Sequence, residues 1–212
     1  MTKEAARDLD RELQRAREER AALADVLAAI ARVGDDATPV FDTILSHAGQ
    51  LCDADRATIA LREGDRLATI AGWNIPQSAM DDYRREPYPI DRSTGVGRAV
   101  VEGRTMLWED MTEDAEISAR AQRTRGLTGA RSVMAVPLLR DGKPIGAINL
   151  RRTEVRPFTQ DEVALVEAFA QQAVIAIEHV RRFTDTKLAL EQQTATSDVL
   201  KVMSGSPFDL AP

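Results

Sequence analysis

Residues 132–150, SVMAVPLLRDGKPIGAINL, constrain the fold more than any other stretch. Apolar residues run Val133–Val136 and Leu138–Leu139, then resume at Ile145, Ala147, Ile148 and Leu150 around Arg140-Asp141-Gly142-Lys143. An Asp-Gly pair between two β-prone runs predicts a two-residue hairpin turn, because both turn positions want φ > 0. Both runs are nearly continuous, so both faces of the hairpin should be covered, as in the centre of a sheet. Pro137 cannot donate to a ladder and belongs at a bulge or strand end, while Gly146 marks a bend or a close backbone approach.

Residues 3–32 lack Gly and Pro and are rich in Ala, Leu, Glu and Arg, which predicts one long helix. Leu9, Leu13, Ala16, Arg20, Leu23, Leu27 and Ile30 follow alternating steps of four and three, a coiled-coil seam with one polar interruption. A helix this long has little else to bury such a seam against, which points to self-association. The plainer alternative is an amphipathic helix lying on its own domain. Gly34-Asp35-Asp36 ends it, and Thr38-Pro39 offers an N-cap and a proline at N1 for a second helix reaching Cys52. Ala57–Leu61 and Arg66–Ala71 then read as two strands around the turn Arg62–Asp65.

Residues 72–130 are different in kind. Ser78–Arg85 and Arg98–Glu102 read as short helices, Thr105–Trp108 as a third strand, and Glu86–Ile90 as extended, since each proline disfavours helix in the residue before it. A connection this long without a periodic core is functional or disordered. It holds both tryptophans and both tyrosines, and large rings gathered beside a sheet suit a ligand cavity. The expected lining is Trp73, Ile75, Tyr83, Tyr88, Ile90, Trp108 and Met111, with Val133 and Ala135 from the sheet. The alternative is that these rings fill a satellite core of their own. Arg120, Arg123, Arg125 and Arg131 lie near the insert's end, within reach of an anionic ligand or a lid carboxylate, although a solvated helix face is the preferred reading.

After the central hairpin, Thr159 and Glu162 form a capping box. Val163, Val166, Phe169, Ala173, Ala176, Val180 and Phe183 then mark one face of a helix with no breaker until Gly205, a connector that outruns its domain. Asp198–Ser204 resembles Asp25–Ala31, and Gly205–Asp209 parallels Thr38–Asp42 in character, so a second copy of the module is expected to begin there. The expected organisation is an N-terminal signalling helix (1–33), a globular domain (34–183), a helical linker (184–204) and the start of a second repeat (205–212). A homodimer interface is expected on Leu9, Leu13, Leu23, Leu27 and Ile30 of the first helix, with Phe169, Ala173, Ala176, Val180 and Phe183 of the last.

The formal charge of −6 argues against a nucleic-acid surface over most of the chain. No run approaches the roughly 18 apolar residues that span a bilayer, so no membrane contact and a cytoplasmic location are expected. The single cysteine, Cys52, excludes an internal disulfide and a multi-cysteine metal site, and neither His47 nor His179 begins a metal-ligand spacing. Both histidines read as helix-surface or interface residues. No nucleophile stands with a base, so no catalysis is expected.

In the order helix, hairpin, irregular insert, central hairpin and closing helix, residues 22–183 resemble the GAF domain family. The likeness is carried by Leu51-Cys52-Asp53-Ala54-Asp55-Arg56-Ala57, Gly95–Val100, Ser132–Leu138, Gly142–Ile148, and Phe158-Thr159 through Glu178. It implies an α+β fold: a six-stranded antiparallel sheet with the N- and C-terminal helices on one face, a small-molecule pocket formed by loops and short helices on the other, and long helical extensions. Such domains are typically inputs to histidine kinases, cyclases, phosphodiesterases or transcription regulators, and often dimerise through flanking helices. The resemblance thus implies a non-catalytic sensory module of a multidomain bacterial signalling protein, such as a two-component histidine kinase. It would bind a small molecule, dimerise, or both, and control an output domain in the same chain. The alternative is a dimerisation spacer with no ligand. Family members that reduce free methionine sulfoxide use several cysteines, where this chain has one. A covalent bilin is not expected, because residues 72–130 hold no cysteine. The cyclic-nucleotide signature of phosphodiesterase members is met only in part by Asn149, Phe158 and Asp161-Glu162. Leu150 replaces its lysine, and the gap after Phe158 is one residue short. The identity of the ligand stays open.

Overall fold

The computed structural model describes residues 3–204, with side-chain surroundings given for residue 7, residues 9–194 and residue 196. Helices α1 (Lys3–Arg32) and α2 (Thr38–Leu51) precede a first hairpin, β1 (Arg56–Glu63) and β2 (Arg66–Trp73). The insert contributes α3 (Gln77–Arg85), β3 (Tyr88–Pro89), α4 (Gly95–Glu102), β4 (Met106–Trp108), a 3-10 turn (Met111–Glu113) and α5 (Ala119–Thr128). The chain continues through β5 (Val133–Arg140), β6 (Lys143–Arg151) and α6 (Gln160–Ser204). Six strands make one antiparallel sheet in the order β3-β2-β1-β6-β5-β4, which is the expected α+β architecture.

The central turn forms as its sequence requires, with Asp141 at φ 50° and Gly142 at φ 73°. The β5–β6 register shifts between Leu138 and Leu139, close to Gly146 on the partner strand. A Cβ on Gly146 would stand 2.3 Å from the Ala60 carbonyl oxygen, so β1 and β6 can approach only over a bare backbone. Pro137 pairs with Ala147 beside that irregularity, past the end of the β4 pairing at Ala135.

Successive residues of a strand face opposite sides, and the chain uses both. Ala57, Ile59, Met134, Val136, Leu138, Ile148 and Leu150 face the side covered by α2 and α6. Ala60, Val133, Ala135 and Ala147 meet the insert. By the same alternation Thr58, Asn149 and Arg151 share the insert face.

Two helix starts are instructive. The Asp36 carboxylate, rather than the Thr38 hydroxyl, caps α2, accepting from the Thr38 amide at 2.8 Å and its hydroxyl at 2.6 Å. At α6 the expected capping box is present, with the Thr159 amide donating to Glu162 at 2.8 Å and the Glu162 amide to Thr159 Oγ1 at 3.3 Å.

The expected dimer seam needs correction. Ile30, Phe169, Ala173 and Ala176 are buried within this one chain, and Leu23 and Val180 pack half-buried against the same core. They are taken up because α2 and α6 lie on the sheet and α1 packs against both of them. Leu9, Leu13, Leu27 and Phe183 remain exposed. The expectation of no span-like helix also needs correction. Between Gln160 and Thr194, α6 is long and apolar enough to cross a membrane by length and composition, but 44% of its most apolar window is buried in the domain. The proposed second repeat at 205–212 lies outside the described residues.

Candidate functional site

On the insert face, α3, α5 and the 3-10 turn form a cover held by charge pairs rather than by an apolar stripe. Arg98 binds both oxygens of Asp114, at 2.6 and 3.1 Å, and the Trp108 indole N–H donates to the same carboxylate at 2.6 Å. Burial opposes ionisation of Asp114, but the hydrogen bonds from Arg98, the Glu116 amide and Trp108 outweigh it and hold its carboxyl below the usual range. Arg131 donates to Asp110 at 3.0 Å, and Arg123 to Glu86 at 3.0 Å. Arg120 is buried, its Nε 3.2 Å from a Glu86 oxygen in an ion contact too misaligned to be a hydrogen bond, and its guanidinium 4.1 Å over the Tyr88 ring. The four insert arginines are therefore not one solvated face. Carboxylates at the end of α3 and beside the 3-10 turn pair with three of them, of which Arg120 is buried and Arg123 stays exposed, and the fourth, Arg125, lines the cavity described next.

Beneath this cover lies a cavity of about 30 Å³. Of the expected lining, Tyr88, Met111 and Val133 reach it. Thr94, Gly95 and Val96 at the start of α4 join them, with Thr124, Arg125 and Thr128 from α5 and Asn149 and Arg151 from β6. The other expected residues lie elsewhere. Trp73 ends β2 on the opposite side, where its ring fills the space a Cβ on Gly49 of α2 would need, 2.4 Å away. Ile75, Tyr83, Ile90, Trp108 and Ala135 pack with Ala60, Ala99 and Ala147 into a satellite core. Large rings settle against a sheet face of small alanines, leaving little empty volume.

The polar groups at the cavity come from the sheet. Asn149 is buried, and its Oδ1 has no hydrogen-bond partner in the protein. Arg151, 6% exposed, donates to the Thr58 hydroxyl at 3.3 Å and lies 5.8 Å from the Tyr83 ring. The Tyr83 hydroxyl is likewise without a partner. Burial above all keeps the Tyr88 phenol well above its usual range. Arg152, the next residue after Arg151, turns the other way. It donates to Glu162 at 2.7 Å and to the Arg156 and Pro157 carbonyls at 2.7 and 2.9 Å, fastening the end of β6 to the start of α6. Sequence reasoning missed Arg151. Its signal was there: Asn149 and Arg151 alternate with Ile148 and Leu150 in a run expected to be covered on both faces.

The partial nucleotide signature separates in space. Asn149 faces the cavity, Leu150 is core on the helical side, Phe158 lies under the Arg152 guanidinium at 3.9 Å, and Glu162 caps α6. Cys52 is fully buried, its Sγ 3.9 Å from the Glu162 carbonyl, and burial followed by the Glu162 charge pushes its thiol up to about 12. His47 stands 3.4 Å from Asp25, between α2 and α1.

A comparison with curated proteins finds no match. Among solved structures, the fold is similar to the GAF domain of a phosphoenolpyruvate-protein phosphotransferase from Coxiella burnetii, with a TM-score of 0.67 at 12% identity over 79% of this chain and 96% of that one. It is also similar to free methionine-R-sulfoxide reductase from Neisseria meningitidis, solved in complex with its substrate (TM-score 0.63, 17% identity, 77% and 90% covered). A third is a methyl-accepting chemotaxis protein, residues 122 to 287 (TM-score 0.62, 17% identity, 73% and 96% covered). The model of the GAF domain family matches residues 34–178, which take in the whole sheet, the insert and the first turns of α6. The chain belongs to the GAF domain family.

Proposed function

We propose that this domain is a non-catalytic, ligand-responsive regulatory module of a multidomain signalling protein, acting as a homodimer through α1 and α6. The observation that carries this reading is the end of β6. Arg151 faces the insert cavity, and Arg152 holds the start of α6 through Glu162. Two consecutive residues on one backbone cannot move independently, so a ligand that shifts Arg151 also bears on Arg152 and on the setting of α6. Leu9, Leu13, Leu27, Phe183, Leu188 and Leu190 are exposed along these helices and offer apolar surface to a second copy. Family membership and the likeness to a chemotaxis protein support a regulatory role. The buried, unreactive state of Cys52 supports the non-catalytic part. In this reading the domain works in the cytoplasm and α6 leads to an output domain of the same protein.

Native mass spectrometry at tens of micromolar, set against the denatured mass, tests the reading. The expected result is a dimer carrying an extra mass that is lost on denaturation, and a monomer when Leu13→Asp and Phe183→Asp are combined. A bare monomer overturns it, and a dimer of bare mass under every ligand tried favours a spacer.

A further inference from the structure

We propose that the insert-face cavity is a carboxylate site built around Arg151, so that the ligand is a small organic acid. This rests on the ligand-responsive reading above and names its chemistry. Arg98, Arg120, Arg151 and Arg152 are all buried. Three of them stand against a carboxylate, Arg98 at 2.6 Å from Asp114, Arg120 at 3.2 Å from Glu86 and Arg152 at 2.7 Å from Glu162. Arg151 is the exception. Among the described residues its contacts are the Thr58 hydroxyl and the Tyr83 ring, and no Asp or Glu lines the cavity it faces. A guanidinium stays charged at any working pH, and a buried charge without a counter-charge is costly. An anion entering the cavity removes that cost.

Two further features point the same way. The Asn149 amide beside Arg151 is unpartnered at Oδ1 and can turn its NH2 toward an acceptor. Gly95 and Val96, also on the wall, are the first residues of α4, whose leading amides have no acceptor within the helix and whose dipole favours negative charge. Cation, amide and helix start converge on one space. Its volume of about 30 Å³ is room for roughly two waters. A planar carboxylate fits such a space and matches the arginine fork oxygen to nitrogen, whereas a tetrahedral phosphate is bulkier and more highly charged. An acid larger than acetate requires α5 to move outward.

The test is thermal unfolding and calorimetric titration of the full chain with sodium acetate and sodium formate, against sodium chloride at equal ionic strength and sodium phosphate. The expected result is a saturable rise in melting temperature with the two carboxylates only. Arg151→Met should lose at least tenfold in acetate affinity while melting in chloride no lower than the parent, because it removes an uncompensated charge at similar volume. If that variant does not fold, Arg151→Lys serves instead, keeping the charge without the fork and binding acetate several-fold more weakly. An equal acetate response in Arg151→Met, or saturable stabilisation by phosphate alone, overturns the proposal. No response to any acid, with a neutral mass carried in the native spectrum, overturns it while leaving the ligand-responsive reading intact. No response and no carried mass defeat both.

Discussion

Arg152 is 1% exposed and donates to five acceptors drawn from the end of α2 and the turn after it, the β6–α6 connection and α6 itself, with the Phe158 ring beneath it. Its replacement leaves the buried Glu162 carboxylate without its cationic partner and the Cys52, Arg156 and Pro157 carbonyls without their side-chain donor. Arg152→Met is therefore expected to cost about 3–5 kcal/mol in urea unfolding at neutral pH, the range for breaking one side of a buried pair. The adjacent Arg151→Met should cost nothing, and similar losses for both would contradict the assignment of their charges. Asp114 sets a pH limit on the cover. Its carboxyl is held below the unfolded value, so its stabilising contribution is complete above about pH 4 and is lost as pH falls through the lower folded value. Trp108 fluorescence should report that acid transition, and Asp114→Asn should abolish the low-pH change. At this scale the sequence was informative where chemistry is local. The Thr159–Glu162 capping box could be read from spacing alone. It was uninformative for Arg120, Arg123 and Arg131, because their carboxylates lie 21 to 41 positions away in spaces that only folding defines.

The two hairpins and both long helices were legible because turn chemistry and periodicity act within a few residues. Gly146 illustrates this. A glycine inside an apolar strand signals close approach, and the Ala60 carbonyl supplies it. Gly146→Ala should cost about 1–3 kcal/mol through forced separation of β1 and β6, measured as a lower urea midpoint with an unchanged slope. A neutral effect would mean that the bulge beside it absorbs the methyl group. The start of α4 was harder to place. Gly95 and Gly97 resemble a turn, yet Thr94 caps a helix there through the Gly97 amide at 3.0 Å, and a Cβ on Gly97 would meet the Asp91 carbonyl at 2.4 Å. No periodic stripe marked α5, since hydroxyls and ion pairs hold it. Thr124 bonds to the Asp82 carboxylate at 3.3 Å, an attachment that leaves no apolar pattern.

At the scale of the whole chain, spacing could not say what a helix packs against. Steps of three and four serve a core-facing helix and a coiled-coil seam equally. Folding settles the matter by proximity: Ala22, Val26 and Ile30 turn α1's second half into the domain, and Phe169, Ala173 and Ala176 do the same for α6. Beyond Val180 every described side chain of α6 through Thr194 is exposed, while its backbone stays helical to Ser204. At about 1.5 Å per residue, the stretch from Arg181 to Ser204 extends about 36 Å from the sheet, so a tilt of about 5° at its base displaces the far end by about 3 Å. The helix thus behaves as a lever whose short arm is the Arg152–Glu162 fastening. A change of a few degrees beside the cavity becomes, at the tip, a displacement as long as a hydrogen bond.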